Sequence, residues 1–251
     1  MLSILFVLNI GAASSPPGMS FIPGGDFSIP FRKDSSTINL KVDPFYLDRH
    51  AVTPGAFIAF LKENPRYARS RVKRLFADSG YLQDWQGDLQ PLPSEMNSPV
   101  TRISWHAAKE YCACQGKRLP TTAEWEFSAR NLAKGIDTAV QRQAILDWYA
   151  KPNSANPPPV ESGSSHVHGI RDLFGVVWEW TSDFNAYGFA GMNNRGVEDS
   201  GSFCGGGTTR AGKDVDYATY MRWAFRLSLH PDYTVGTLGF RCAKSLARKG
   251  D

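Results

Sequence analysis

Apolar and small residues alternate from Met19 to Phe27 around Gly24-Gly25, which predicts an opening strand and a tight bend. Residues 42–53 (Val-Asp-Pro-Phe-Tyr-Leu-Asp-Arg-His-Ala-Val-Thr) predict a second strand. Thr53-Pro54 then supplies an N-cap and a first helical residue whose missing N–H would be unpaired anyway. The helix that follows runs to about Leu61, with Phe57, Ile58, Phe60 and Leu61 on its apolar face. Residues 64–98 are polar, basic and Pro-containing and read as a surface excursion. Pro99 to Trp105 returns to a buried strand. Ser104 caps a helix that carries Ala107, Ala108, Tyr111 and Cys112 inward and ends at Gly116. Thr121 and Glu124 have the spacing of a capping box, in which hydroxyl and carboxylate satisfy orphan amides reciprocally. Glu124 and Glu126 therefore read as capping and solvent groups rather than catalytic acids. A weaker helix covers about Thr138 to Tyr149, and Asn156-Pro157-Pro158-Pro159-Val160 is a rigid extended connector within one domain.

Composition narrows the class. With 251 residues, 42% hydrophobic and 12% aromatic, the chain can bury a substantial core. Its 23 Gly and 16 Pro are spread among short elements, which excludes a bundle or a repeat array. The fold class expected is α+β, a single loop-rich domain whose loops pack through aromatic anchors. The net charge of +4, from 28 basic and 24 acidic residues, is too small an excess to indicate nucleic acid. One basic run stands apart: Lys62, Arg66, Arg69, Arg71, Lys73 and Arg74, with Tyr67, Val72, Leu75 and Phe76 as its apolar anchor. It reads as a solvated face, with an acidic partner or an anionic surface as the alternative.

Residues 1–13 form an apolar stretch ending in small residues and read as a signal peptide cleaved near Ala13, although no Lys or Arg precedes it. The stretch is too short to span a membrane. Export implies a periplasmic or secreted protein and allows disulfides. The four cysteines, Cys112, Cys114, Cys204 and Cys242, permit three complete pairings. Cys112-Ala113-Cys114 is too tightly spaced for the usual zinc or redox dicysteine motifs. His166 and His168 would share a face on a strand and could bind a transition metal, but no third ligand accompanies them, so a surface loop is expected.

Five phrases in order carry a resemblance: the opening Met19–Phe27 phrase, Gly116-Lys117-Arg118-Leu119-Pro120-Thr121-Thr122-Ala123-Glu124-Trp125-Glu126, Gly169 to Trp180, Arg222 to Arg226, and Gly239-Phe240-Arg241-Cys242. Over residues 19–246 the chain resembles the formylglycine-generating enzyme, or sulfatase-modifying factor, superfamily. The resemblance implies a complex C-type-lectin-like fold with little regular secondary structure and a disulfide between Cys112 and Cys242. It also implies a calcium site at Glu179 with backbone oxygens around Gly175 and Val177, weakened because Val176 replaces an Asn ligand. Asp172 and Asn156 are lesser oxygen candidates. Trp180 and Ser202 match positions lining the family's substrate groove. Arg226 is either an anchor for a peptide carbonyl or carboxylate, or a structural group against Asp216.

Active members of this family oxidise a substrate cysteine to an aldehyde with oxygen at a pair of cysteines that binds copper(I), two soft thiolate donors. Aligning Arg222 to Arg226 with the family pattern puts Ala218 where the second of those cysteines is expected, and Cys204 falls one position before the first. Copper is therefore not expected. Cys204 reads as a reactive thiol, as a small buried filler, or as a partner of Cys114. The resemblance leaves three functions: an exported non-catalytic module that binds a protein or peptide partner in assembly, maturation or regulation, such as secretion-system control or metalloenzyme accessory work; an oxidase of altered chemistry using Cys204; or a true sulfatase-modifying oxidase. Loss of one thiolate removes the metal centre while leaving a groove, which favours the first.

Overall fold

In the computed structural model, which describes residues 15–30, 37–130, 138–151, 156–163, 165–185 and 217–246, a three-stranded antiparallel sheet is assembled from both ends of the chain. Strand β1 (Met19–Ile22) pairs with β4 (Phe45–Asp48) in the register Met19↔Asp48, and β4 pairs with β7 (Ala243–Ser245) in the register Phe45↔Ser245. Between β1 and β4 lies a hairpin of β2 (Gly25–Pro30) and β3 (Thr37–Val42). Its entry requires glycine. At Gly24 φ is +69°, and an added Cβ would lie 2.3 Å from the Val42 carbonyl oxygen. A third, minimal sheet joins β5 (Trp178–Glu179) to β6 (Leu238–Gly239) in parallel.

The described residues include five α-helices: α1 (Pro54–Glu63), α2 (Trp105–Cys114), α3 (Thr122–Arg130), α4 (Thr138–Ala150) and α5 (Tyr217–Leu227). The expected caps form. The Ala107 amide donates to Ser104 Oγ at 3.3 Å, the Glu124 amide to Thr121 Oγ1 at 3.1 Å, and the Thr121 amide to Glu124 Oε2 at 2.8 Å. Two departures from the sequence reading stand out. Residues 99–104 form no regular strand; the Val100 amide donates to Val52 O at 2.8 Å, and the backbone turns at Arg102, where φ is +54°. Helix α5 was not foreseen, because its buried face carries Arg222 and Arg226, which an apolar-face pattern does not count.

Two large clusters, or lobes, make up most of the core among the described residues. One gathers Phe57 and Phe60 of α1, Tyr111 and Cys112 of α2, Trp180 and Phe240, with Phe57 stacked on Tyr111 at 5.8 Å. The other joins Phe45 and Leu47 of β4 to Trp125 of α3, Ile145 of α4, Phe174 and Ala218 of α5. The Cys112–Cys242 disulfide is present and ties α2 to the C-terminal segment across 130 positions. Architecture and topology are α+β, loop-rich and single-domain, as expected. The 1–13 segment, Ser202, Cys204 and Asp216 lie outside the described residues.

Candidate functional site

The phrases that are far apart in sequence meet in space through buried charge. Arg241, fully buried, donates Nε and Nη2 to the Glu179 carboxylate at 2.8 Å each, Nη1 to the Asp48 and Arg49 carbonyl oxygens, and Nη2 to Arg171 O at 2.9 Å. Trp125 Nε1 completes the cage, donating to Glu179 Oε2 at 2.7 Å. Beside it, Asp48 accepts from the Cys242 amide at 3.0 Å and from Lys117 Nζ at 2.7 Å. A buried ion pair of this kind is stable only when its remaining donors and acceptors are satisfied, and here they are.

A second knot centres on Glu126. Arg222 donates Nε to Oε1 at 2.9 Å and Nη2 to Oε2 at 2.8 Å, and Arg226 donates Nη1 to Oε1 at 2.7 Å. Glu126 is thus no solvent group. The period-3.6 spacing from the capping box turns it into the core toward guanidiniums that the sequence places about a hundred residues later. Burial pushes its carboxyl up, and the Arg222 and Arg226 charges more than reverse this, holding it at about 2. Arg226 is the structural group of the two alternatives, with Glu126 as its partner.

Trp180 is likewise placed in the core. It is fully buried, its Nε1 donates to Ile103 O at 2.8 Å, and Phe184 meets it edge-on at 5.0 Å. Strand β5 ends at Glu179, so the alternation that would put Trp178 and Trp180 on one face is broken. Trp178 is the open one. It stacks on Tyr149 at 4.7 Å, leans on Trp148 at 5.3 Å, and packs against Phe225 at 4.5 Å. With Lys151, Pro158 and Thr237, the Trp148, Tyr149 and Trp178 rings line a cleft of about 210 Å³. Arg222 Nη1 donates to the Tyr149 hydroxyl at 3.3 Å, and burial holds that hydroxyl above the usual phenol range despite the cation. The cleft residues Trp148, Tyr149 and Trp178 were missed in the sequence. The available signal was the adjacent Trp148-Tyr149 pair just before the proline run.

The calcium expectation meets a donor set that does not fit. Both Glu179 oxygens already accept from Arg241, so a divalent cation there would lie against a guanidinium. Asp172 is turned to amides instead, accepting from the Glu161 and Gly163 N–H groups. Gly175 and Val177 are among the residues lining the cleft. Among the described residues no group of three His, Cys, Asp or Glu side chains is arranged to hold a metal. The histidines separate. His166 is buried against Phe174 rather than on a surface loop, while His168 is exposed at φ +67° in the turn Val167–Gly169. Cys114 is exposed and unpaired to sulfur, with its thiol 3.9 Å from Asn64 Oδ1. Ala218 is 1% exposed, its methyl part of the second core lobe.

Comparison with known proteins gives the family and the fold. The profile described as the sulfatase-modifying factor enzyme 1-like domain matches residues 8–246. The formylglycine-generating enzyme of Streptomyces coelicolor is 28% identical, over 91% of this chain and 90% of that protein. The inactive C-alpha-formylglycine-generating enzyme 2 of Mus musculus is 28% identical, over 96% and 90%. The serine/threonine-protein kinase Pkn1 of Chlamydia trachomatis is 30% identical over 91% of this chain, which amounts to 38% of that longer protein. Among solved structures, PvdO from Pseudomonas aeruginosa superposes with a TM-score of 0.51 at 19% identity, covering 91% of this chain and 94% of that one. Treponema denticola variable protein 1 does so with 0.51 at 15%, covering 91% and 95%. At these identities the structural matches speak to fold alone.

Proposed function

Because this chain belongs to the sulfatase-modifying factor enzyme 1-like family, we propose that it is an exported, non-catalytic member that binds a protein or peptide partner through its aromatic cleft, in an assembly, maturation or regulatory role. The observation that carries this reading is Ala218. A methyl group packed in the core stands where the resemblance expects the second copper thiolate, and a single thiol cannot rebuild a two-thiolate centre. The cleft outlives that loss. Its rings offer rigid apolar area at low entropic cost, with Lys151 and Thr237 as polar contacts at the rim, as peptide-binding surfaces commonly do. The buried Cys112–Cys242 disulfide supports an oxidising compartment. An inactive relative and a match inside a longer kinase chain are in keeping with the scaffold serving without oxidase chemistry.

Two measurements test it. The reduced protein is loaded with Cu(I) and incubated with oxygen and a cysteine-containing sulfatase peptide; no aldehyde is expected, and its formation would sink the reading. A peptide array is then probed with wild-type protein and with the Trp178→Ala and Thr237→Lys variants. Peptides retained by the wild type are expected to be lost by both, and equal retention by both variants would move the binding surface elsewhere.

A further inference from the structure

Residues 68–78 form a loop that presents Arg71, Lys73 and Arg74 around Leu75. Leu75 is 77% exposed, so it does not anchor the basic run; Tyr67 and Val72 do, leaning on the first core lobe, while the adjacent Phe76 is 37% exposed. The exposure is not slackness. The Phe76 amide donates to Lys73 O at 2.8 Å, and the Asp78 amide to Asp232 O at 2.8 Å. The Asp78 carboxylate accepts from the Gly80 amide at 2.8 Å and from Thr234. The Phe76 ring meets His106 of α2 edge-on at 5.2 Å. A backbone tied down on both sides holds the leucine out in water.

A single exposed leucine is ordinary on a protein surface. A leucine beside a phenylalanine at a turn tip, within a cationic run free of acids from Asn64 to Ala77, is not. Lys73 and Arg74 form no ion pair with a carboxylate among the described residues, and Arg71 acts only at longer range on Asp88, which is held by Ser70. Lys109, one turn beyond His106 on α2, adds a cation lying over the Trp105 ring.

We propose that this tip docks the protein onto an anionic phospholipid surface, with Leu75 and Phe76 entering the headgroup region and Arg71, Lys73 and Arg74 meeting lipid phosphates. The shape selects a bilayer over a folded acidic partner. A protruding leucine needs a complementary pocket in a protein interface, whereas a headgroup layer yields around it. Long cationic side chains also reach phosphates without fixed spacing, and each adds attraction to an anionic surface. The docking is independent of the peptide-binding reading and of the aromatic cleft.

The test is flotation of the full chain with phosphatidylcholine vesicles, with and without phosphatidylglycerol. Binding is expected only to the anionic vesicles, weakening as salt rises. Arg71→Gln, Lys73→Gln and Arg74→Gln should each lower affinity about fivefold and the triple variant about a hundredfold. Leu75→Ser should lower it about tenfold with an unchanged melting temperature, since the residue contacts no core. Soluble glycerophosphate at matched ionic strength should not compete. The proposal is overturned if Leu75→Ser floats like the wild type, if glycerophosphate displaces the protein, or if no anionic vesicle binds. Retention on an acidic polypeptide with no flotation would overturn it in favour of a protein partner.

Discussion

Glu126 and Arg222 form a two-point ion pair in the core, Nε to Oε1 at 2.9 Å and Nη2 to Oε2 at 2.8 Å, between residues 96 positions apart. With Arg226 on the same carboxylate, one anion organises the buried face of α5 against α3. Glu126→Gln leaves two guanidiniums buried without a counter-charge and is expected to destabilise the protein by about 3–5 kcal/mol. Urea unfolding measures it. A loss under about 1 kcal/mol would mean that α5 is not held this way.

Acid should unfold the protein in two stages. Burial, followed by the Arg241 charge, lowers the His166 imidazole from 6.5 to about 4, so the stability its neutral form contributes is complete above pH 6.5 and is lost as the pH falls toward 4. Glu126, depressed from 4.5 to about 2, contributes stability that is complete above pH 4.5 and is lost as the pH falls toward 2. Urea midpoints measured from pH 7 to 3 should therefore fall through both windows. His166→Gln should flatten the upper window only, and an unchanged slope there would contradict the assignment.

Closing a loop of 130 positions stabilises the fold by about 5 kcal/mol in the chain-entropy picture. The paired Cys112→Ala and Cys242→Ala variant should lose that amount, and reduction of the wild type should reproduce it. In the native oxidised protein, a maleimide followed by peptide mapping should mark Cys114 and leave Cys112 and Cys242 unmarked.

Gly239 of β6 sits where a Cβ would lie 2.9 Å from the Val100 carbonyl oxygen and 3.3 Å from Val177 Cγ2. Gly239→Ala is expected to cost about 1–3 kcal/mol through overpacking against backbone that cannot move aside. Gly55→Ala is the contrasting case. Its Cβ would meet Met96 Cε at an ordinary 3.6 Å on a helix, and a gain of about 0.5–1 kcal/mol is expected. Thermal melts of the two variants shifting in the same direction would refute this account.

Ala218→Cys places a thiol among core side chains instead of at a surface. The new sulfur should be silent to Ellman's reagent until denaturant is added, and the larger side chain should lower stability by about 1–3 kcal/mol. Prompt reaction in the native state would show that this position opens to solvent.

What could be read from the sequence was mostly local. The Thr121–Glu124 capping box, the Ser104 cap and the inward face of α2 each follow from spacings of three or four residues, and each is present. The Cys112–Cys242 pairing came from resemblance to a family, since the residues alone left three pairings open. Misreadings arose where a partner lies far along the chain or a period breaks. Glu126 looked solvent-facing because its guanidiniums follow about a hundred positions later. Trp180 was placed in a groove by resemblance alone, and its ring packs instead into the first core lobe, far from most of its contacts in sequence. Leu75 looked like an anchor because hydrophobicity alone does not say which way a turn points.

Arg241 has a bearing on biogenesis. It reaches the carbonyl of Asp48 from 193 positions downstream, and β4, the middle strand of its sheet, has one edge open until β7 arrives. A ribosome that has released the first two hundred residues has therefore released a chain whose central strand is half-paired and whose Glu179 anion is uncompensated. Completing this sheet requires residues 243–245, a non-local pairing of the kind that closes slowly. Until then, the emerging chain depends on whatever keeps it from aggregating.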